Sequence, residues 1–338
     1  MAGGFTTERS DAGGAGKGLT LNPWRHVDSD DDIVADFLAG TIEIVMEAGG
    51  WIHPGAVFVV RDGAASVACD GVDGEPLLEV PRSCFLRIMR VDWGRQGDAL
   101  EMTAMPEDIT DLERELLILQ VAFHNARGAI PTLLRTHPSA ATDLSADVID
   151  AVRALRPDFR TRPSAPVDLF WTDRAFRVPI DAGDLEPVGV PLIDLLDHHA
   201  RGATPTLAPD GFAVPVCAPE RTGAGLVSCR LDYGLQRDAL DLAIVYGFAD
   251  TSADIAHSAS AEVTFAASDP ERAVREVSQA RGITQAEAQV IAASVAEESL
   301  ALLSDVQERA AACTSQAAAT LGAAAEHQAR VIARAMGI

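Results

Sequence analysis

Residues 190–199 read VPLIDLLDHH, an apolar run that closes on Asp194, Asp197, His198 and His199. Further on, residues 233–248 read YGLQRDALDLAIVYGF and contain Tyr233 and Tyr246, the two tyrosines of the chain. Carboxylates, imidazoles and phenols hold or move protons, so the two stretches together make a candidate acid/base or positioning site. A plainer arrangement competes with it. Adjacent histidines on a strand point to opposite faces, which would pack one of His198 and His199 and solvate the other, with the tyrosines in the core. A metal site from Asp194, Asp197 and a histidine would have a ligand set that is not evidently complete.

Composition bounds the function. The 338 residues include 27 basic and 50 acidic side chains, a net charge of −23, and of the basic residues only Lys17 is a lysine. So acidic a surface repels phosphate backbones and argues against nucleic acid, leaving basic peptides or small cations as better partners. Apolar residues at 48% and charged residues at 23% describe a folded globular protein. The five cysteines are scattered without a CxxC pair, which argues against a disulfide framework and a cysteine zinc site. No apolar run approaches the roughly 20 residues that cross a bilayer, and the start lacks the order of a signal peptide; both predict a cytoplasmic protein that avoids membranes.

Three regions follow along the chain. Residues 1–32 are Gly- and Asp-rich and predict a disordered tail ending in the acidic run 28–32, an entry patch for a helix. Residues 33–267 mix periods. Helices are predicted at 32–47, from a Thr110–Glu113 capping box to Gly128 and Pro131, and at 146–155; short strands at 56–60, 65–69, 77–80, 212–216, 225–231 and 261–265. Residues 268–338 turn rich in Ala, Glu, Gln and Arg. One helix opens at 269–271 and stops near Gly282, and a Thr284–Glu287 capping box starts another with no glycine until Gly322. Uninterrupted, that helix would extend about 55 Å. Its alanine-rich part, 310–325, suits close helix–helix contact, within the chain or with a partner protein.

Familiar motifs are missing: no GxGxxG after a strand, no GxSxG, no HExxH, no HxE…CxxC. GGAGKG at 13–18 has neither the strand before it nor the Ser or Thr after its lysine that a phosphate loop needs. The order of the remaining segments resembles the SET-domain methyltransferases of the Rubisco large-subunit methyltransferase type. There PLxDxxNH corresponds to 191–198, a YGxxxNAExxxxYGF-like stretch to 233–248, and GExLLxVPR to GEPLLEVPR at 74–82. FLAGTIEIVMEAGGW (37–51) looks like the entry helix, Phe123, His124 and Asn125 fall in the helical insert, and WTDRAFRVP (171–179) looks like the return to the core.

The resemblance implies an α+β fold: a β-rich SET-like core over 33–267, a helical insert at about 105–170, and a C-terminal all-helical domain over 268–338. It implies S-adenosylmethionine as cofactor and N-methyl transfer to a protein or peptide side chain. Carried over by motif, Tyr246 is the phenol at the transfer site and Tyr233 lines the amine channel. Gly63, Ala65, Asp197 and His198 sit on the cofactor. Three places depart from the pattern, one of them the family's Asn-Ala-Glu, which is Asp238-Ala239-Leu240 here. The family's GxGL loop is Gly63-Ala64-Ala65-Ser66 here, where Ala65 adds a Cβ. The family's Asn is Asp197, whose carboxylate would repel the carboxylate of the cofactor. The alternative is therefore a diverged SET-like protein without methyl transfer, binding a peptide or partner protein as a scaffold, or using these residues for acid/base, ring-forming tailoring of a peptide.

Overall fold

The computed structural model describes residues 22–179, 185–234, 237–259 and 262–338. The GGAGKG stretch, most of the expected tail and residue 261 of an expected strand lie outside these residues. The chain enters through β1 (Val27–Ser29) and α1 (Asp32–Glu47). The Asp31 carboxylate accepts the Ile33 and Val34 N–H groups and starts the helix. Val34, Leu38, Ile42 and Val45 then fall on one buried face. The acidic run is consumed locally, with Asp28 on Arg61 at 2.5 Å and Asp30 accepting the Asp62 N–H at 3.1 Å.

Four strands follow: β2 (Trp51–Ile52), β3 (Ala56–Arg61), β4 (Ala64–Cys69) and β5 (Pro76–Pro81). Ala56, Phe58 and Val60 are buried while the residues between them are not, as period two requires of a sheet with one wet face. Asp62 and Gly63 join β3 to β4 with φ of 50° and 76°, the two left-handed residues of a tight hairpin turn. β1 lies parallel to β3 on the outer side of this hairpin. So part of the stretch expected to be a tail is a strand.

The hairpin β6 (Asp92–Gln96) and β7 (Ala99–Ala104) leads into α2 (Asp111–Ala126), α3 (Ala129–Thr136), α4 (Ala146–Leu155) and α5 (Pro166–Thr172). Only half of the first expected capping box forms. Thr110 Oγ1 accepts the Glu113 N–H at 3.1 Å, but the Glu113 carboxylate goes to Arg87 at 2.8 Å, because a charge-assisted pair outcompetes a return to the cap. Pro131 does not end a helix; it sits in the first turn of α3, where no N–H partner is needed.

Next come β8 (Ala175–Pro179) and β9 (Leu185–Gly189), then β10 (Asp197–Ala203), β11 (Thr206–Ala208) and β12 (Gly211–Pro215). The single strand expected at 225–231 is two pieces. β13 (Val227–Ser228) pairs with β4 and β14 (Arg230–Leu231) runs parallel to β10, with Cys229 N–H on the Val67 carbonyl at 2.7 Å between them. One sheet has the order β1-β3-β4-β13 and another β11-β12-β5-β2. The chain closes with α6 (Ala239–Tyr246), β15 (Ile255–His257), β16 (Thr264–Ala266), α7 (Arg272–Arg281), α8 (Gln285–Ala311) and α9 (Gln316–Met336). The fold is α+β with a helical C-terminal region.

The expected 55 Å helix is broken. α8 starts with both bonds of the Thr284–Glu287 capping box, but residues 312–315 turn, and the Ser315 hydroxyl donates to Asp143 at 2.8 Å. α9 folds back on α8. A Cβ at Gly322 would stand 3.1 Å from that of Ala310, so the alanine-rich faces meet within the chain. Ala317, Ala318, Leu321, Ala324 and Ala325 are fully buried there, in a second core shared with α4, α6 and α7. Among the described residues no helix is long and apolar enough to cross a membrane.

Leu321→Ala should cost about 2–5 kcal/mol, since the tight α8–α9 seam has little room to collapse. Val290→Ala, at a position 70% exposed, should stay within about 0.5 kcal/mol. Urea unfolding of the two variants checks this, and equal midpoints would refute the packing.

Candidate functional site

A cavity of 560 Å³ opens between the β3–β4 turn, the ends of α2 and α6, and the start of β10. Gly63, Ala65, Asp197, His198, Tyr233 and Tyr246, which lie far apart in sequence, all line it. Its wall also contains Arg127, Arg174, Asp194 and Arg230.

His198 and His199 point opposite ways, as adjacent strand residues must. His198 faces the cavity: Nδ1 accepts the Tyr233 N–H at 3.1 Å and Nε2 lies 3.2 Å from Asp250 Oδ2. Burial opposes the charge on Asp250, but contacts from His198 and Ser252 outweigh it and hold that carboxyl below its usual range. His199 is buried away from the cavity, with Nδ1 on the Arg201 N–H.

The two tyrosines differ. Tyr233 donates its hydroxyl to the Leu196 carbonyl at 2.7 Å, and burial followed by the charge of Asp197 pushes its phenol far above the ordinary value. Tyr246 sits on the last turn of α6, and its hydroxyl makes no hydrogen bond among the described residues. Burial raises this phenol too, against the Arg237 guanidinium 5.3 Å over the ring. Gly247, at φ 77°, ends α6 so tightly that a Cβ would stand 3.0 Å from the His137 ring. His137 in turn bridges the Val245 carbonyl at 2.9 Å and Asp173 at 3.1 Å. With Phe248 and His198 the phenols form a continuous aromatic wall, Tyr233 to Tyr246 at 5.1 Å and His198 to Phe248 at 5.8 Å between ring centres.

Asp197 does not stand as a bare carboxylate. Arg230 Nη1 donates to it at 2.8 Å, although burial still pushes its carboxyl up. Arg127 donates Nη1 to the Gly63 carbonyl at 2.8 Å and Nε to His124 Nδ1 at 3.1 Å; burial and then Arg174 push the guanidinium down to about 10. His124 is fully buried and pushed down to about 3, mainly by burial, so its ring is neutral beside Asp194 at 3.6 Å. Arg174 stacks on Phe170 at 4.0 Å. Arg174 Nε, Arg230 Nε and Asp194 Oδ1 are buried without a hydrogen-bond partner among the described residues. Sequence reasoning missed Arg127, Arg174 and Arg230. In a chain whose bases are nearly all arginine, nothing local marks these three, and only the fold brings them to the cavity.

A histidine whose pKa is lowered in the native state is neutral there, while the unfolded chain takes up a proton. The stability tied to it is whole above about pH 6.5 and is lost as pH falls toward the depressed value. His26 and His199 shift in the same direction, both chiefly through burial. Stability should therefore decline from about pH 6.5 downward, by up to about 1.4 kcal/mol per pH unit per group. His124→Gln, which keeps an acceptor for Arg127, should flatten the slope in urea titrations. An unchanged slope would refute the neutral buried ring.

No family model matches the chain, and no curated protein matches it. A solved structure, "Crystal structure of the SET domain of LSMT bound to Lysine and AdoHcy", aligns over 90% of this chain and 90% of its own, at 12% identity and a TM-score of 0.39. A likeness that remote assigns neither family nor chemistry.

Proposed function

We propose that the cavity is the site of S-adenosylmethionine-dependent methyl transfer to an amine of a protein or peptide side chain. The observation that carries this reading is the convergence of Gly63, Ala65, Asp197, His198, Tyr233 and Tyr246 on one cavity. In sequence these six share only the order of their motifs, and the fold brings them together.

The residues fit the cofactor. Arg174 and Arg230, each with an unpartnered Nε, suit its carboxylate, and the Arg230–Asp197 pair cancels the repulsion expected from Asp197. The aromatic wall suits a sulfonium. Ala65 lies in ordinary antiparallel register with Val60, so its Cβ forms part of the wall. The cofactor supplies an electrophilic methyl group. The chain's own residues hold and aim, because an in-line displacement depends chiefly on alignment. The Tyr246 hydroxyl is the oxygen available to orient a lone pair, and the apolar rings favour the neutral amine that must attack.

The same wall disfavours acid/base tailoring of a peptide. Tyr233 has spent its proton on Leu196, His198 Nδ1 is taken by the Tyr233 N–H and Asp197 is tied to Arg230. A reaction that needs positioning suits this site better than one that needs a proton shuttle. Nor do the cavity's charges favour a basic substrate, since Arg127, Arg135, Arg174 and Arg230 balance Asp62, Asp173, Asp194 and Asp197.

Calorimetry with S-adenosylmethionine and S-adenosylhomocysteine should show saturable binding in the micromolar range, weakened about tenfold or more in Arg174→Ala. With a methylated product in hand, Tyr246→Phe should keep that binding and slow transfer about a hundredfold. Absence of heat at millimolar cofactor would sink the proposal.

A further inference from the structure

The end of the β3–β4 hairpin remote from the cavity turn gathers a second set of groups. His53 lies between β2 and β3, Cys69 is the last residue of β4, and Asp70 follows it. One potential ligand atom from each lies within 4.8 Å of the other two, and Cys69 Sγ is 3.2 Å from His53 Nδ1. Cys69 is buried and Asp70 is exposed, so the group opens to solvent on its carboxylate side.

Two glycines shape this cluster. A Cβ at Gly55 would fall 1.6 Å from Asp70 Oδ1, and one at Gly71 would fall 2.9 Å from His53 Nε2 and 3.2 Å from Cys69 Sγ. The Gly71 N–H donates to Cys69 Sγ at 3.3 Å, a contact that orients the sulfur and favours its deprotonated form, while the Gly55 N–H, 3.0 Å from His53 Nδ1, must yield that lone pair to a cation. Glu75 adds a carboxylate 3.5 Å from His53 Nε2. The cation nearby, Arg221, reaches the Cys69 carbonyl at 3.4 Å.

We propose that His53, Cys69 and Asp70 bind a thiophilic divalent cation of the zinc class. Sulfur, imidazole and carboxylate together are a zinc donor set, and a thiolate is a poor ligand for magnesium or calcium. Zinc–sulfur and zinc–nitrogen bonds of about 2.3 and 2.0 Å at tetrahedral angles place those donors about 3.5 Å apart, so the present 3.2 Å needs to open by a few tenths. Water completes the shell, and the Glu75 carboxylate faces the other ring nitrogen, Nε2. The Cys69 S–H bond breaks, a sulfur–metal bond forms and the proton leaves to solvent, so binding tightens as pH rises. Burial and the carboxylates of Asp70 and Glu75 hold the free thiol above its ordinary range, a penalty that the cation reverses. The cluster of Asp238, Asp241 and His257 differs, because Arg156 already bonds both of its carboxylates, at 2.6 and 2.7 Å.

The test is a cobalt titration of the chelator-treated full chain, followed by displacement with zinc. One equivalent should produce a thiolate-to-cobalt charge-transfer band that zinc abolishes, with half-saturation moving to lower metal as pH rises. Cys69→Ser should lose the band, and His53→Gln and Asp70→Asn should each raise half-saturation about tenfold or more. The Asp70 variant changes an exposed residue and decides the matter even if the Cys69 variant fails to fold. A saturated protein without the band, a band that survives in Cys69→Ser, or equal half-saturation in both other variants would overturn the site.

Discussion

Arg127 ends α2 with Nη1 on the Gly63 carbonyl and Nε on a neutral His124, so one buried guanidinium ties the β3–β4 turn to the helical insert. The contact is close in both directions, since a Cβ at Gly63 would stand 2.6 Å from the Arg127 carbonyl oxygen. A charge held out of water costs several kcal/mol unless its donors are spent. This one tolerates Arg174 beside it because Asp194 and Asp197 lie near. The cost is what makes the arrangement specific. If the turn moved off the helix end, the guanidinium would lose its acceptor while still buried, and the cavity would lose one wall.

The interior of the cavity and the surface of the protein therefore follow different electrostatic rules. Over the whole chain, 50 acidic groups against 27 basic ones set a field that repels anions. Inside, four arginines meet four aspartates, and the polar atoms left over are guanidinium N–H and carboxylate oxygen. An anion passing the surface field would find directional donors at short range, where the low dielectric strengthens them. The aromatic wall beside them attracts a cation through its ring faces. A molecule carrying both charges, as the proposed cofactor does, would find a partner for each.

Features with a short-range cause were legible in the sequence. The acidic run 28–32 announces α1, an apolar run bounded by Gly55 and Asp62 announces β3, and Thr284 with Glu287 announces α8, because caps and turn residues act over a few residues. Features decided at long range were not. The Glu113 carboxylate leaves its cap for Arg87, which is 26 residues away in sequence, and Ser315 breaks a helix by reaching Asp143. Splitting of the 225–231 strand follows from two separate partners, β4 and β10, competing for one segment. The site shows the same division. Tyrosines and an Asp-His pair stand out by rarity, whereas Arg127, Arg174 and Arg230 are three arginines among many until the fold gathers them.

The position of Tyr246 shows why the C-terminal helices belong to the site's architecture. α6 carries this residue on its last turn and buries Ala239, Leu240 and Ala243 in the second core, against α9. Its start is fixed by Asp238, which caps Asp241 N–H at 2.9 Å and binds Arg156 of the insert at 2.6 Å. Its end is fixed by His137, which grips the Val245 carbonyl and Asp173. An eight-residue helix has too few internal hydrogen bonds to stand alone. The phenol is consequently placed by residues from the insert and the C-terminal region together. The C-terminal helices, whose alanine-rich stretch suits contact within the chain or with a partner, are the floor on which that helix rests.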